Sequence, residues 1–276
     1  IAVLARSYTN TASYRNGVAC ALYCSFFRLI TFGSGSGIAE VYYLNRQGMK
    51  AAEATGMSLV QYLIQKITIC LMGAVSFFFC FRYVSQYIGD YQGYIALAVL
   101  ITMVIGAGIL MITVFEKGKD LLFHYLSKAT AGKESGNDKV KKAEGQADIL
   151  QDGAKKLYHK KHCLALAFVL NLAKYFCWFL TPYVLYGDEE RLTLLVSLVL
   201  MALATMVAGV IPTPSGYGSL DAMIILLFYP LLGEAKAVSL IILYRVVVSL
   251  FPFLMGMLVA ARPLREQREL EAGRKN

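Results

Sequence analysis

Apolar runs of about twenty residues decide what this chain can fold into, because a helix of that length just crosses the roughly 30 Å hydrocarbon core of a bilayer. Positions 57–84, 93–115, 163–186, 192–210 and 237–260 are such runs. Inside lipid every backbone N–H and C=O must bond within the protein, which predicts helices and not open strands. The expected fold class is all-α: a polytopic membrane helix bundle. Composition agrees, since 57% of the 276 residues are hydrophobic.

The charge pattern orients the bundle. Net charge is +9, and eleven lysines fall between Lys117 and Lys161, with a second basic cluster in the tail "ARPLREQRELEAGRKN". Such blocks mark cytoplasmic segments beside anionic lipid, and no nucleic-acid partner is expected. Residues 1–276 therefore read as one membrane domain, with a cytoplasmic basic loop at 117–162 and a cytoplasmic tail at 261–276. The linkers "SQYIGDYQ" and "GDEER" are short and neutral or acidic, so they face out. Parity then puts Arg46 and Lys50 inside and "GEAK" (233–236) outside. Trp178, Tyr183 and Tyr186 are expected as interface anchors near an outer helix end. The opening "IAVLARSY" reads as the stub of an earlier helix, so the chain is expected to be N-terminally incomplete. The six cysteines lie in or beside apolar segments without zinc-like spacing, which predicts small buried hydrophobes, no metal site and no cofactor.

Two shorter apolar pieces adjoin breaks written in nearly the same letters. "SGSGIAE" (34–40) follows 14–32 and runs into 38–44; "SGYGSLD" (215–221) separates 192–210 from 220–232. Each is Ser-Gly-x-Gly with a carboxylate three residues after the second glycine. Pro212 and Pro214 bracket Thr213 at the second break, and two prolines so spaced cannot sit inside a regular helix. The break glycines are Gly35 and Gly37 in the first copy, Gly216 and Gly218 in the second. By parity the first piece enters from inside and returns inside, while the second enters from outside and returns outside. The expectation is two oppositely oriented re-entrant helix hairpins, an inverted repeat whose broken helices frame a substrate site. Ordinary small-residue helix contacts are the plainer account of one such motif.

The candidate binding residues follow. If each returning helix starts near the second glycine, Glu40 and Asp221 occupy its first turn, and the helix N-terminus suits a phosphate. The two acids either cap that turn or attract a cationic head group, and the roles are compatible. Thr213 and Ser215 are hydrogen-bond donors at the second break. Arg28, Lys66, Lys174 and Arg245 lie inside apolar runs, where charges usually face a cavity or a partner. Lys66 also has the option of snorkelling to its cytoplasmic end. Gln61, Gln65 and Asn171, one turn from these lysines, would extend a wet face. No catalytic residues are expected: GxSxG, HExxH and P-loop patterns are all missing, and the three histidines lie in or beside the basic loop.

The stretches "IPTPSGYGSLDAMIILLF" and "TFGSGSGIAEVYYLNRQGM" resemble the flippase-like membrane region of bacterial lysylphosphatidylglycerol synthases, the multiple peptide resistance factor family. Pro212, Thr213, Pro214, Gly218 and Asp221 match that family's second motif, with Ser215 in place of its first glycine and Asp for Glu. The first motif is matched by Gly35, Gly37 and "YYLNRQG". The resemblance implies a bacterial inner-membrane, multi-pass protein with a cytoplasmic C-terminus, often a homodimer. It implies a flippase moving aminoacylated phosphatidylglycerol, of lysyl or alanyl type, between leaflets as part of antimicrobial peptide resistance. The family's synthase activity belongs to a separate soluble domain, which is expected to be absent here, so the chain is not expected to be an enzyme. Membrane phospholipid is the expected partner. The competing expectations are a secondary transporter of a small anionic or amino-acid solute, a non-transporting subunit of a lipid-modifying system and, weakest, an intramembrane enzyme.

Overall fold

The computed structural model describes residues 1–8, 13–88, 92–114, 160–189, 192–209, 211, 213 and 216–261, with isolated positions between 145 and 155. Pro212, Pro214, Ser215, most of the basic loop and the tail after 261 lie outside the described residues. Those described form helices and turns without a strand. In chain order the helices are α1 (Ala2–Ala5), α2 (Tyr14–Ile30), α3 (Ser36–Arg46), α4 (Ala51–Ile88), α5 (Gln92–Val114), α6 (Lys161–Phe179), α7 (Thr181–Tyr186), α8 (Leu194–Ala208) and α9 (Ser219–Arg245).

Among the described residues, three stretches are long and apolar enough to cross a membrane: Ala51–Phe78, Lys161–Tyr186 and Ser219–Ala261. The last is 43 residues, too long for one crossing, and the backbone divides it at Gly233, where φ is 75° and ψ 172°. A left-handed glycine three residues after Pro230 ends one arm, 219–232, and begins another. The second arm continues through a π-turn at Val246–Leu250 into helix as far as Ala261. The apolar pieces 220–232 and 237–260 are thus separate helical arms, as their spacing predicts.

The α6–α7 junction has a similarly local cause. Pro182 has no N–H to give, and the gap is stitched by Ser197 of α8, whose Oγ donates to the Phe179 carbonyl at 2.8 Å and accepts from the Tyr183 amide at 3.2 Å. Ser197 is completely buried.

The main core forms around α8, which is apolar on every side and is covered by α4, α5, α6, α7 and α9. Gly73 of α4 lets the backbone close on Met206; a β-carbon there would overlap the Met206 side chain. A second core gathers Leu4, Cys20, Cys24, Leu44, Met57 and Ile64 beneath the first helix pair. Cys20 and Cys24 are buried as expected, whereas Cys177 is exposed on α6, on an apolar surface that lipid would cover.

Contacts also define two ends. Lys160 donates to the Ser7 carbonyl at 2.7 Å, and Leu44 and Met49 pack with Leu4 and Ala5, so the open end of the α2–α3 pair lies where α6 begins. Glu189 pairs with Lys236, so α8 and the first arm of α9 open where α7 ends. The 26 residues from Lys161 to Tyr186 separate these ends by about 39 Å.

Candidate functional site

The two breaks are built differently despite their shared letters. At the first, Gly33 N–H bonds the Arg28 carbonyl at 2.7 Å and Phe32 N–H bonds the Leu29 carbonyl at 3.4 Å, a Schellman closure of α2. The left-handed position is Phe32, φ 50°, followed by Gly33 at φ 99°. Gly35 is already right-handed, and Gly37 lies inside α3. Thr31 Oγ1 donates to the Phe27 carbonyl at 2.6 Å and accepts from the Gly35 amide at 2.8 Å, satisfying a donor that α3 would leave orphaned. At the second break Gly216 and Gly218 are themselves left-handed, φ 71° and 86°, so α9 cannot begin before Ser219.

This difference moves the acids. Asp221 is in the first turn of α9, as expected; its Oδ2 accepts from the Gly218 amide at 2.9 Å. Glu40 is not in the first turn of α3, because that helix starts before the second glycine and carries no acid in its first turn. At the fifth helical position, two farther in than Asp221, Glu40 does not cap the helix end, and its side chain is buried instead.

Around Asp221 the polar groups satisfy one another. Arg245, from the far arm of α9, donates Nε to Asp221 Oδ1 at 2.9 Å and Nη2 to the Gly216 carbonyl at 3.0 Å, and its guanidinium lies 4.1 Å from the Tyr217 ring centroid. Thr213 and Ser219 share a hydrogen bond of 2.6 Å between their hydroxyls. The second break is a closed network that ties both arms of α9 together.

Around Glu40 they do not. Its residue is 8% exposed, and Oε1 makes no well-formed hydrogen bond among the described residues; Ser58 Oγ and Gln61 Oε1 are in the same state, although Ser58 stands close enough to act on the carboxylate. All three line a cavity of about 1250 Å³ between α2, α3, α4 and α6, whose walls also carry Arg28, Asn171 and Lys174. Buried polar atoms without partners are costly, so a cavity collecting three of them points to a polar ligand. Lys174 Nζ lies 4.2 Å and 5.1 Å from the centroids of Tyr175 and Trp178. A smaller cavity of about 160 Å³, lined by Arg28, Thr205, Tyr217, Tyr244 and Arg245 among others, adjoins the second break. Trp178, expected as an interface anchor, lines both cavities.

Of the expected binding residues, the structure gathers Glu40, Arg28 and Lys174 in one cavity and places Arg245 in the other, already paired with Asp221. Lys66 lines neither; its ammonium sits 5.4 Å from the Tyr62 ring centroid. Ser58 was not singled out from sequence, although Ser58, Gln61 and Gln65 form a polar stripe at helical spacing on α4 and all face the larger cavity.

Set beside known proteins, a family model described as the lysylphosphatidylglycerol synthase transmembrane region matches residues 1–256. No curated protein and no solved structure matches.

Proposed function

The chain belongs to the family of lysylphosphatidylglycerol synthase transmembrane regions, and from that premise we propose that it carries an aminoacylated phosphatidylglycerol, or a related phospholipid, between leaflets. The observation that carries this reading is the buried Glu40 carboxylate, whose Oε1 makes no hydrogen bond among the described residues, facing a 1250 Å³ cavity that also holds Arg28 and Lys174. A lipid bearing both an ammonium and a phosphate complements such a cavity, whereas a hydrocarbon chain would leave its polar atoms unsatisfied.

The helix pairs support the same reading. At 17 and 11 residues, α2 and α3 are about 25 Å and 16 Å long, short of a bilayer core. The 15-residue α8 and the arm 219–232 are similarly short, and the two pairs open at ends separated by the length of α6–α7. We read them as re-entrant hairpins of opposite orientation, whose tips meet near the bilayer midplane. The activity is one of moving a lipid, not of making or breaking its bonds.

The test is transport by the purified chain in liposomes. Fluorescent lysyl-phosphatidylglycerol should become accessible to a membrane-impermeant quencher faster than in empty liposomes. Glu40→Gln should slow this lipid more than unmodified phosphatidylglycerol. Wild-type rates equal to those of empty liposomes would overturn the flippase reading and favour a subunit that holds lipid for another enzyme.

A further inference from the structure

The large and small cavities share Ser25, Arg28, Trp178 and Val248 in their walls, so they meet at a neck between α2, α6 and the end of α9. We propose that Arg28 and Lys174 form a phosphate site at this neck, which takes the phosphodiester of a glycerophospholipid whether or not an amino acid is attached. The source of the phosphate rests on the lipid-carrying reading; the site chemistry does not.

Two observations set this pair apart from the other cations in the bundle. First, neither has a protein counter-ion in contact. Among the described residues, Arg28 makes no side-chain hydrogen bond or ion pair, and Lys174 makes only contacts with the faces of Tyr175 and Trp178. Aromatic faces hold an ammonium in place while leaving its N–H donors unused, and the guanidinium fork keeps all five of its own. Arg245, by contrast, is paired with Asp221 and Gly216, and Lys66 reaches neither cavity.

Second, both line the larger cavity, with Lys174 against Trp178, which lines the neck beside Arg28, and each charge acts on the other. Two cations facing one cavity within an apolar bundle repel, and an anion shared between them removes that repulsion while accepting from both. Glu40, on the same cavity, is within electrostatic reach of Arg28 but in no ion-pair contact with it. The neck thus provides a cationic pole, and Glu40 with Ser58 and Gln61 provides the opposite pole farther along the same cavity. On this division of labour the neck binds what all anionic phospholipids share, and Glu40 senses what an aminoacyl group adds.

The measurement is lipid retention by the purified full chain in detergent, read by native mass spectrometry with dioleoyl-phosphatidylglycerol and its lysyl ester. Arg28→Gln and Lys174→Gln should each reduce retention of both lipids by roughly tenfold or more, as expected for loss of a charge-assisted hydrogen bond. Arg28→Lys should recover part of the loss, which also decides the matter should Arg28→Gln fail to fold. Lys66→Gln, another intramembrane lysine, should retain lipid like the wild type. Competition by inorganic phosphate would assign the site to a soluble anion, and resistance to it would assign the site to lipid; both support a phosphate site. Unchanged retention of both lipids in folded Arg28→Gln and Lys174→Gln proteins would overturn it. Retention is measured without transport, so lipid held through Arg28 by a chain that does not flip it would sink the flippase reading alone.

Discussion

The two breaks share Ser-Gly-x-Gly and an acid at the same offset, yet one acid ends in a satisfied network and the other alone in a cavity. The cause is which residues take the left-handed conformation. At the second break these are the motif glycines, Gly216 and Gly218, so Asp221 falls at the third helical position and caps. At the first they are Phe32 and Gly33, upstream of the motif, so the same spacing carries Glu40 past the helix end. A difference of two helical positions, about half a turn, separates a capping carboxylate from one that faces a cavity. The second region thus holds a broken helix together, whereas the first leaves its carboxylate facing the cavity that we propose for binding.

The largest effect expected from this contrast is at Asp221. Asp221→Asn should lower thermal stability in detergent by about 2–4 kcal/mol, since it weakens a cap and leaves Arg245 half-buried without its carboxylate. Glu40→Gln should leave stability unchanged or slightly raised, because the carboxylate it neutralises is buried and makes no ion-pair contact among the described residues. Equal destabilisation by the two substitutions would dissolve the comparison.

The glycines sharpen it further. Gly218→Ala should cost about 1–2 kcal/mol, because φ 86° is strained for any residue with a β-carbon. Gly37→Ala should stabilise by up to about 1 kcal/mol, since Gly37 is helical and a β-carbon there would meet nothing within 4 Å. Gly35→Ala should destabilise, for its β-carbon would come within 2.7 Å of the Thr31 side chain that accepts from the Gly35 amide. Thermal unfolding of the three variants, side by side, checks the assignment of the left-handed positions.

The smallest effect is at Phe32. Its left-handed backbone costs a non-glycine residue about 1 kcal/mol, and its ring is 70% exposed, so Phe32→Gly should change stability by less than about 1 kcal/mol, upward if lipid contacts of the ring are weak. A large loss would mean that the ring itself anchors the hairpin tip.

By itself the sequence determined the helical class, because twenty-residue apolar runs have no other way to satisfy their backbone in lipid. It also determined where the helices break, to within a few residues: 14–32, 38–44 and 220–232 each correspond to an observed helix or arm, and the Glu189–Lys236 pair joins two linkers that parity places on one side. Membership of the family followed from the motifs around Asp221. The fate of each charge was not legible, because residue type and spacing are identical for a capping acid and an orphaned one until the backbone chooses its left-handed residue. Nor could spacing show that Arg28 and Lys174, far apart in the chain, face one cavity while Arg245 is already paired. Those distinctions depend on contacts between helices that only the packed bundle brings together, and on the partners each buried charge finds or lacks there.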